Sequence, residues 1–222
     1  LGTRGSYHTA SGRQRPLCRS ARLEGDQLVV ARTPDATRPI TLSNSVAKLF
    51  AMCLNRGLST IAQLTVLPRQ RGLVRGRNLV DNILETEAFM LRSATWFDDK
   101  AGLLLLDFAA AFPSLSQIFM MKVLTVSGAP IGFLNLIVAI YALVLASVQT
   151  ASEILFLFPV RCGVLQGCPL SGSLFAAAAD PTLRHLEAAC IGDDGRPRAI
   201  LRACADDLGA AIFDIDVLVP LS

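Results

Sequence analysis

The 222 residues are 52% hydrophobic and 18% charged, a balance that excludes a disordered tail and is enough for a sizeable core. The net charge of +3 is too small to name a partner, but it is split: residues 1–92 carry 14 Lys/Arg against 6 Asp/Glu, and residues 93–222 carry 7 against 12. A basic part beside an acidic part suits a chain that grips phosphates with one and collects cations with the other, with chance asymmetry on two solvated faces as the plainer alternative.

Residues 1–26 are polar and rich in Arg, Gly and Ser, a loose segment or the remnant of something upstream. They start at Leu1 with no apolar signal core, so no secretory signal is read, and the missing Met suggests a fragment or a piece of a longer polyprotein. QLVVAR at 27–32 predicts a short strand, 33–35 a turn, and 38–42 an extended piece, because the residue before Pro39 avoids the helical region. Ser43 or Asn44 caps a helix through VAKLFAMCLNRGL, with Val46, Leu49, Phe50, Cys53 and Leu54 at helical spacing. A Gly/Arg loop at 72–77 precedes a second amphipathic helix over 78–96, with Leu79, Ile83, Ala88 and Leu91 on one side.

Residues 101–108, AGLLLLDF, are an apolar run ending in an acid, the pattern of a buried central strand that delivers a carboxylate at its end. A helix with Pro113 in its first turn follows. The stretch 123–152 is long enough to cross a bilayer, which takes about 20 apolar residues. Gly128, Ala129 and Pro130 punctuate its start, and Asn135 and Gln149 interrupt it, so it reads as a buried core helix and no membrane is expected. A strand at 156–161, a Gly/Pro loop at 163–172 and an Ala-rich helix at 174–189 come next. Strands at 200–204 and 208–213 then flank Ala205, Asp206 and Asp207, a β-hairpin with two acids at its tip.

The cysteines, Cys18, Cys53, Cys162, Cys168, Cys190 and Cys204, form no C-x-x-C pair, and the histidines are His8 and His185. That is poor material for zinc and reads as small buried hydrophobes in a reducing compartment, the nucleus or cytoplasm.

Asp107 at the end of an apolar strand and Asp206 and Asp207 between two others cost stability unless something compensates them. Two divalent cations do so, and phosphoryl transfer uses such a pair about 3.5–4 Å apart. Mg²⁺ suits carboxylates completed by phosphate oxygens and water, with Mn²⁺ as a substitute. Taken singly, Asp107 as a helix cap and Asp206 and Asp207 as a plain turn remain open.

Five segments stand in one order: TRPITLSNSVAKLFAMCLNRGL, RGLVRGRNLVDNI, LLLLDFAAAFPSL, RCGVLQGCPLSGSLF and ACADDLGAAI. In that order they resemble the reverse transcriptases of non-LTR retrotransposons and their group II intron relatives, over about residues 28–213. The resemblance implies an α+β right-hand polymerase fold, with fingers at 27–98 and a palm at 99–222 whose antiparallel sheet packs on helices. Only DIDVLVPLS follows the hairpin, so the thumb is expected to be absent. By the same resemblance Asp107, Asp206 and Asp207 are the catalytic acids and metal ligands, Asp206 bridging to the metals and Asp207 its weaker neighbour, with the Phe108 carbonyl as an extra ligand. Arg38, assisted by Arg32, grips the triphosphate, and Gln166 and Gly167 pack on the incoming deoxynucleotide. Phe112 gates against a 2′-hydroxyl, its alternative being a core residue of the helix. Arg71, Arg75 and Arg77 meet template phosphates or form a solvated basic loop. Cys204 stands where the family often has an aromatic, and Ala109 and Pro113 where it often has charges. The implied activity is RNA-directed DNA synthesis from an RNA template, a DNA primer and dNTPs, and the alternative is an inert retroelement remnant that binds nucleic acid weakly at most.

Overall fold

The chain folds as a mixture of helices and antiparallel sheets, seen in a computed structural model that describes residues 6–8, 14–16, 21–24, 27–30, 44–96, 101–108, 110–142, 144–149 and 152–213. Its contacts divide it into two units, residues 1–40 and 41–222. The first holds two hairpins, β1 (Ser6–His8) with β2 (Gln14–Pro16) and β3 (Ala21–Glu24) with β4 (Gln27–Val30). β4 falls on the strand expected from QLVVAR. The turn and extended piece expected at 33–42 lie outside the described residues, as do Arg32 and Arg38.

The second unit takes in both the expected palm and the expected fingers from residue 41 on. Its first helix, α1 (Ser45–Thr65), starts at Asn44, whose side-chain oxygen accepts from the Val46 amide at 2.8 Å, as an N-cap should. The buried stripe is Ala51, Leu58 and Ala62, whereas Val46, Leu49 and Phe50 are exposed. Of the face read from apolar spacing Leu54 packs on this core, and the stripe is turned away from the others toward the small alanines, which let another helix come close.

The next helix, α2 (Leu79–Trp96), inverts its pattern in the same way. Leu79, Ile83 and Leu91 face outward, while Asn82 and Ser93 are buried. This helix turns polar side chains inward beside Phe89, whose ring meets Phe213 at a centroid distance of 4.0 Å, so its anchoring adds specific hydrogen bonds and ion pairs to that ring contact.

β5 (Gly102–Asp107), β8 (Ala199–Cys204) and β9 (Asp207–Ile212) form a three-stranded antiparallel sheet in the order β5-β9-β8. β5 is therefore an edge strand among the described residues, not the buried central strand expected from its apolar run, and Leu105 on it is 72% exposed. Leu201, Ala203 and Leu208 face one side of the sheet and pack against Leu67 and Leu183. Alternation along a strand puts Arg202, Asp107 and Asp207 on the other side.

Between β5 and β8 come α3 (Ala111–Ser114), α4 (Gln117–Val126) and α5 (Ile131–Ala142), then the hairpin β6 (Leu145–Gln149) and β7 (Ile154–Pro159), then α6 (Ser171–Ala189). The apolar stretch 123–152 is thus broken into two helices and a strand, with Gly128 at φ +79° between the helices. Among the described residues no helix is long and apolar enough to cross a membrane. α6 runs through the core, with Leu174, Phe175, Ala176 and Ala178 buried against α1, α4 and α5. Cys53, Cys162, Cys168, Cys190 and Cys204 are free thiols, but Cys53 and Cys162 are exposed rather than buried as expected.

Candidate active site at the acidic hairpin

The β8–β9 connection is a two-residue turn of Ala205 and Asp206, because Cys204 is the register partner of Asp207. Asp207 therefore opens β9 instead of sitting at the tip. On the other side of β9 it is the register partner of Asp107, the last residue of β5. Directly opposed residues on antiparallel strands hold their Cβ atoms about 4.5–5.5 Å apart on one face. The fold thus brings Asp107 and Asp207 side by side at one end of the sheet, with Asp206 immediately before them in the turn. Both partners are exposed and Asp206 is half-buried. Phe108, just past β5, is 49% exposed.

A cleft of about 590 Å³ opens between α2 and this end of the sheet, lined by Asn82, Ile83, Glu87, Asp107, Cys204 and Asp207 among others. Burial, and after it the charges of Asp207 and Asp206, pushes the Cys204 thiol up.

The turn is held from outside the sheet. Residues 69–72 run beside the free edge of β8: the Ala203 amide donates to the Arg69 carbonyl and the Arg71 amide to the Ala203 carbonyl, both at 2.9 Å. Asn82 adds a side-chain bond to the same Ala203 carbonyl at 2.8 Å. Gln70, fully buried, reaches the turn itself: its Oε1 accepts from the Ala205 amide at 2.8 Å and its Nε2 donates to the Ala205 carbonyl at 3.0 Å. Glu85 joins the layers, with Oε1 2.5 Å from the Arg71 guanidinium and Oε2 2.6 Å from Arg202 Nε. The hydrogen bond from Arg71, more than the nearby charge of Arg202, holds the Glu85 carboxyl below its usual range. Neither spacing nor motif singled out Gln70, Asn82 or Glu85. The one signal was Gly72, where an added Cβ would stand 2.1 Å from the Ala205 nitrogen.

Asp107 leads into Ala110, at φ +55°, and then α3. The loop expected to meet a nucleotide docks here, since the Val164 amide donates to the Phe112 carbonyl at 2.9 Å and the Gly163 amide to the Leu115 carbonyl at 2.7 Å. Gly163 is needed for this approach: its φ is +83°, and a Cβ would lie 2.6 Å from the Pro113 backbone. Gln166 is half-buried and Gly167 exposed with φ +95°. The Phe112 ring is half-buried and stacks on Phe175 at a centroid distance of 4.7 Å, so it is packed as a core residue on at least one face.

Two of the three arginines expected on template phosphates are engaged within the chain. Arg71 is paired with Glu85. Arg77 donates to the carbonyls of Gln63, Val66, Leu67 and Gln70, at 2.7–3.0 Å, which closes the C-terminal end of α1 as a basic group there can. Desolvation lowers the Arg77 pKa, partly offset by Asp180. Arg75 is exposed and has no hydrogen bond or ion pair among the described residues.

The donors at the sheet end are carboxylate oxygens, which suit hard cations such as Mg²⁺ or Mn²⁺. Among the described residues no three His, Cys, Asp or Glu side chains are grouped so that together they could hold a metal ion. Mg²⁺ in phosphoryl-transfer sites is held by one or two carboxylates with substrate phosphates and water, and the register pair of Asp107 and Asp207 supplies that number.

No family model matches the chain. In sequence it is 28% identical over 178 residues to the transposon TX1 uncharacterized 149 kDa protein of Xenopus laevis, a match covering 77% of this chain and 13% of that protein. In structure it is similar to telomerase from Candida tropicalis, with a TM-score of 0.55 at 12% identity, over 79% of this chain and 36% of that one. It is also similar to telomerase from Candida albicans, solved with a fragment of telomeric RNA, with a TM-score of 0.51 at 16% identity, over 78% and 32%. The chain thus spans a small part of the transposon protein and about a third of the telomerases. The resemblance read from the five motifs is met by a sequence match to a transposon protein and, independently, by a fold match to telomerase.

Proposed function

We propose that this chain carries the nucleotidyl-transfer centre of an RNA-directed DNA polymerase from a retroelement. The observation that carries the reading is the register of Asp107 against Asp207, with Asp206 in the adjoining turn, in a fold similar to that of telomerase. Asp107, Asp206 and Asp207, with the Phe108 carbonyl, would hold two Mg²⁺ ions or Mn²⁺ in their place. Such ions, when bound, neutralise phosphate charge and lower the pKa of an attacking hydroxyl.

The chain's own groups do the rest. The sheet end fixes the acids where a primer 3′-hydroxyl and the α-phosphate of a deoxynucleotide meet. The 163–167 loop, docked on α3, offers Gln166 and the open backbone of Gly167 to the nucleotide, and the exposed part of Phe112 crowds its 2′ position. Arg38, with Arg32, would take the triphosphate as a planar fork of donors. Arg75 projects for a template phosphate. Residues 27–98 then act as fingers and 99–222 as palm.

Primer extension on an RNA template with Mg²⁺ and dNTPs tests the assignment. Asp107→Asn and Asp206→Asn should each lower extension at least about a thousandfold, on the order of 4 kcal/mol in the barrier. Extension that survives either change at the parent rate would sink it. A second reading, an inert remnant, draws on the absence among the described residues of a three-residue group that could hold a metal and on the two arginines turned inward. It predicts no extension from the parent chain and no salt-dependent binding of template–primer.

A further inference from the structure

We infer that Gln70 is a positioning residue for the acidic hairpin. Its carboxamide fixes the backbone of Ala205 and so sets where Asp206 and Asp207 stand. The inference rests on the reading of those acids as the reaction centre. It concerns a residue that meets neither nucleotide nor template in that reading.

Ala205 has φ +58°, a left-handed conformation that a residue with a Cβ adopts at a cost and that persists where the surroundings over-determine it. The surroundings here are one side chain. Gln70 Oε1 accepts from the amides of Gly72, at 2.9 Å, and Ala205, at 2.8 Å, and Nε2 donates to the Ala205 carbonyl at 3.0 Å. Both backbone groups of the strained residue are therefore bound by one planar group 135 residues away in sequence. The amide orientation is fixed by its partners, because the flipped form would set its NH₂ against two N–H donors.

Gln70 is itself immobile. It is fully buried, its backbone bridges to Ala203 in parallel, and its carbonyl accepts from Arg77 at 2.7 Å. The α1 end, closed by Arg77, and the turn bearing the acids are thus joined through one residue. A glycine at 72 is required for the chain to pass this close to Ala205. A buried amide with all these bonds made is rigid and specific, and losing them leaves unpaired groups.

The test uses Gln70→Met, which keeps the length and removes the hydrogen bonds, together with Ala205→Gly, which removes the cost of the left-handed turn. Amide exchange followed by NMR on the metal-free chain is the first readout. In Gln70→Met the Ala205 and Gly72 amides, which lose their Oε1 acceptor, should exchange at least tenfold faster, while Ala211 in the same strand pair keeps its protection. Unchanged exchange at Ala205 overturns the clamp.

Mn²⁺ binding, read by paramagnetic broadening at Asp107 and Asp207, is the second readout. The affinity should fall several-fold in Gln70→Met and recover in the double variant, since a glycine turn does not need the clamp. A packing role for Gln70 would give no such recovery. Equal affinity in the parent and Gln70→Met overturns positioning even where exchange changes. A parent chain that binds no Mn²⁺ counts against the metal reading of the acids, and the clamp is then judged by exchange alone. Should Gln70→Met fail to fold, the double variant decides: folding with the Ala211 amide protected supports the inference, and failure to fold overturns it.

Discussion

Two hairpins of similar apolar content meet different fates in this chain. In β8–β9, Leu201, Ala203, Leu208, Ala211 and Ile212 are buried. In β6–β7, all six residues of β7, ILFLFP, are exposed. Hydrophobicity does not separate them, since β7 is the more apolar. What separates them is anchoring: β8 has its free edge taken by residues 69–71, its Ala203 carbonyl bound by Asn82, and its turn bound by Gln70. Apolar area supplies the drive for burial without direction. Hydrogen bonds of fixed geometry decide which hairpin is held in one register, and the one that is held carries the acids.

The largest effect should come from removing the space that permits this docking. Gly72→Ala puts a Cβ 2.1 Å from the Ala205 nitrogen, and backbone on both sides leaves nothing soft to yield. We expect a loss of about 3 kcal/mol, the upper end for overpacking, seen as a lower urea midpoint. Faster exchange confined to 199–212 should accompany it. A variant with parent stability would show that the loop and the hairpin are not locked together, and the contrast with β6–β7 would lose its cause.

Glu85 gives a smaller effect with a pH signature. Its carboxyl lies below the usual range, chiefly through the Arg71 hydrogen bond. A depressed carboxylate contributes stability that is fully present above its unfolded pKa of about 4.3 and is lost as pH falls through the lower folded value. Stability of the parent should therefore decline on acidification below about pH 4.3, and Glu85→Gln should lack that part of the decline. At neutral pH the variant should lose less than about 1 kcal/mol, because the carboxylate is 38% exposed and solvent screens it. Identical pH profiles for the two proteins would remove Glu85 from the joint between α2, the 69–72 segment and β8.

The parts of this arrangement that sequence made legible are those with a local signal. Asn44 as an N-cap, the strand before Asp107 and the hairpin around Asp206 follow from neighbours in the chain. The five ordered motifs placed Asp107 and the Asp206–Asp207 doublet in one centre, and the register brings Asp107 to Asp207. The illegible parts depend on partners far away. The inward face of α2 is polar because Asn82 binds a carbonyl 121 residues on, and helical periodicity counts that face as solvent. Arg71 and Arg77 look like a solvated basic loop until Glu85 and the end of α1 are in place. Gln70 has no pattern of its own. β5 reads as central from its leucines, but sheet order is set by pairing, and its only strand neighbour among the described residues is β9.

The smallest effect should come from β7, and it tests the other side of the contrast. Leu155 and Phe156, in regular register with Val148 and Ser147, point to opposite faces of the hairpin and are 44% and 58% exposed. Both count as exposed and have little burial to lose, so Leu155→Thr and Phe156→Thr should each change stability by no more than about 0.5 kcal/mol, as surface changes do. Threonine keeps the β-branched preference for extended backbone, so strand propensity does not confound the comparison. A loss of 2 kcal/mol or more for one substitution and not the other would mean that one face is covered in solution. The difference between the hairpins would then be one of partner and not of anchoring, and the exposed face of β7 would rank with the acidic hairpin as a place where the chain is built to meet something else.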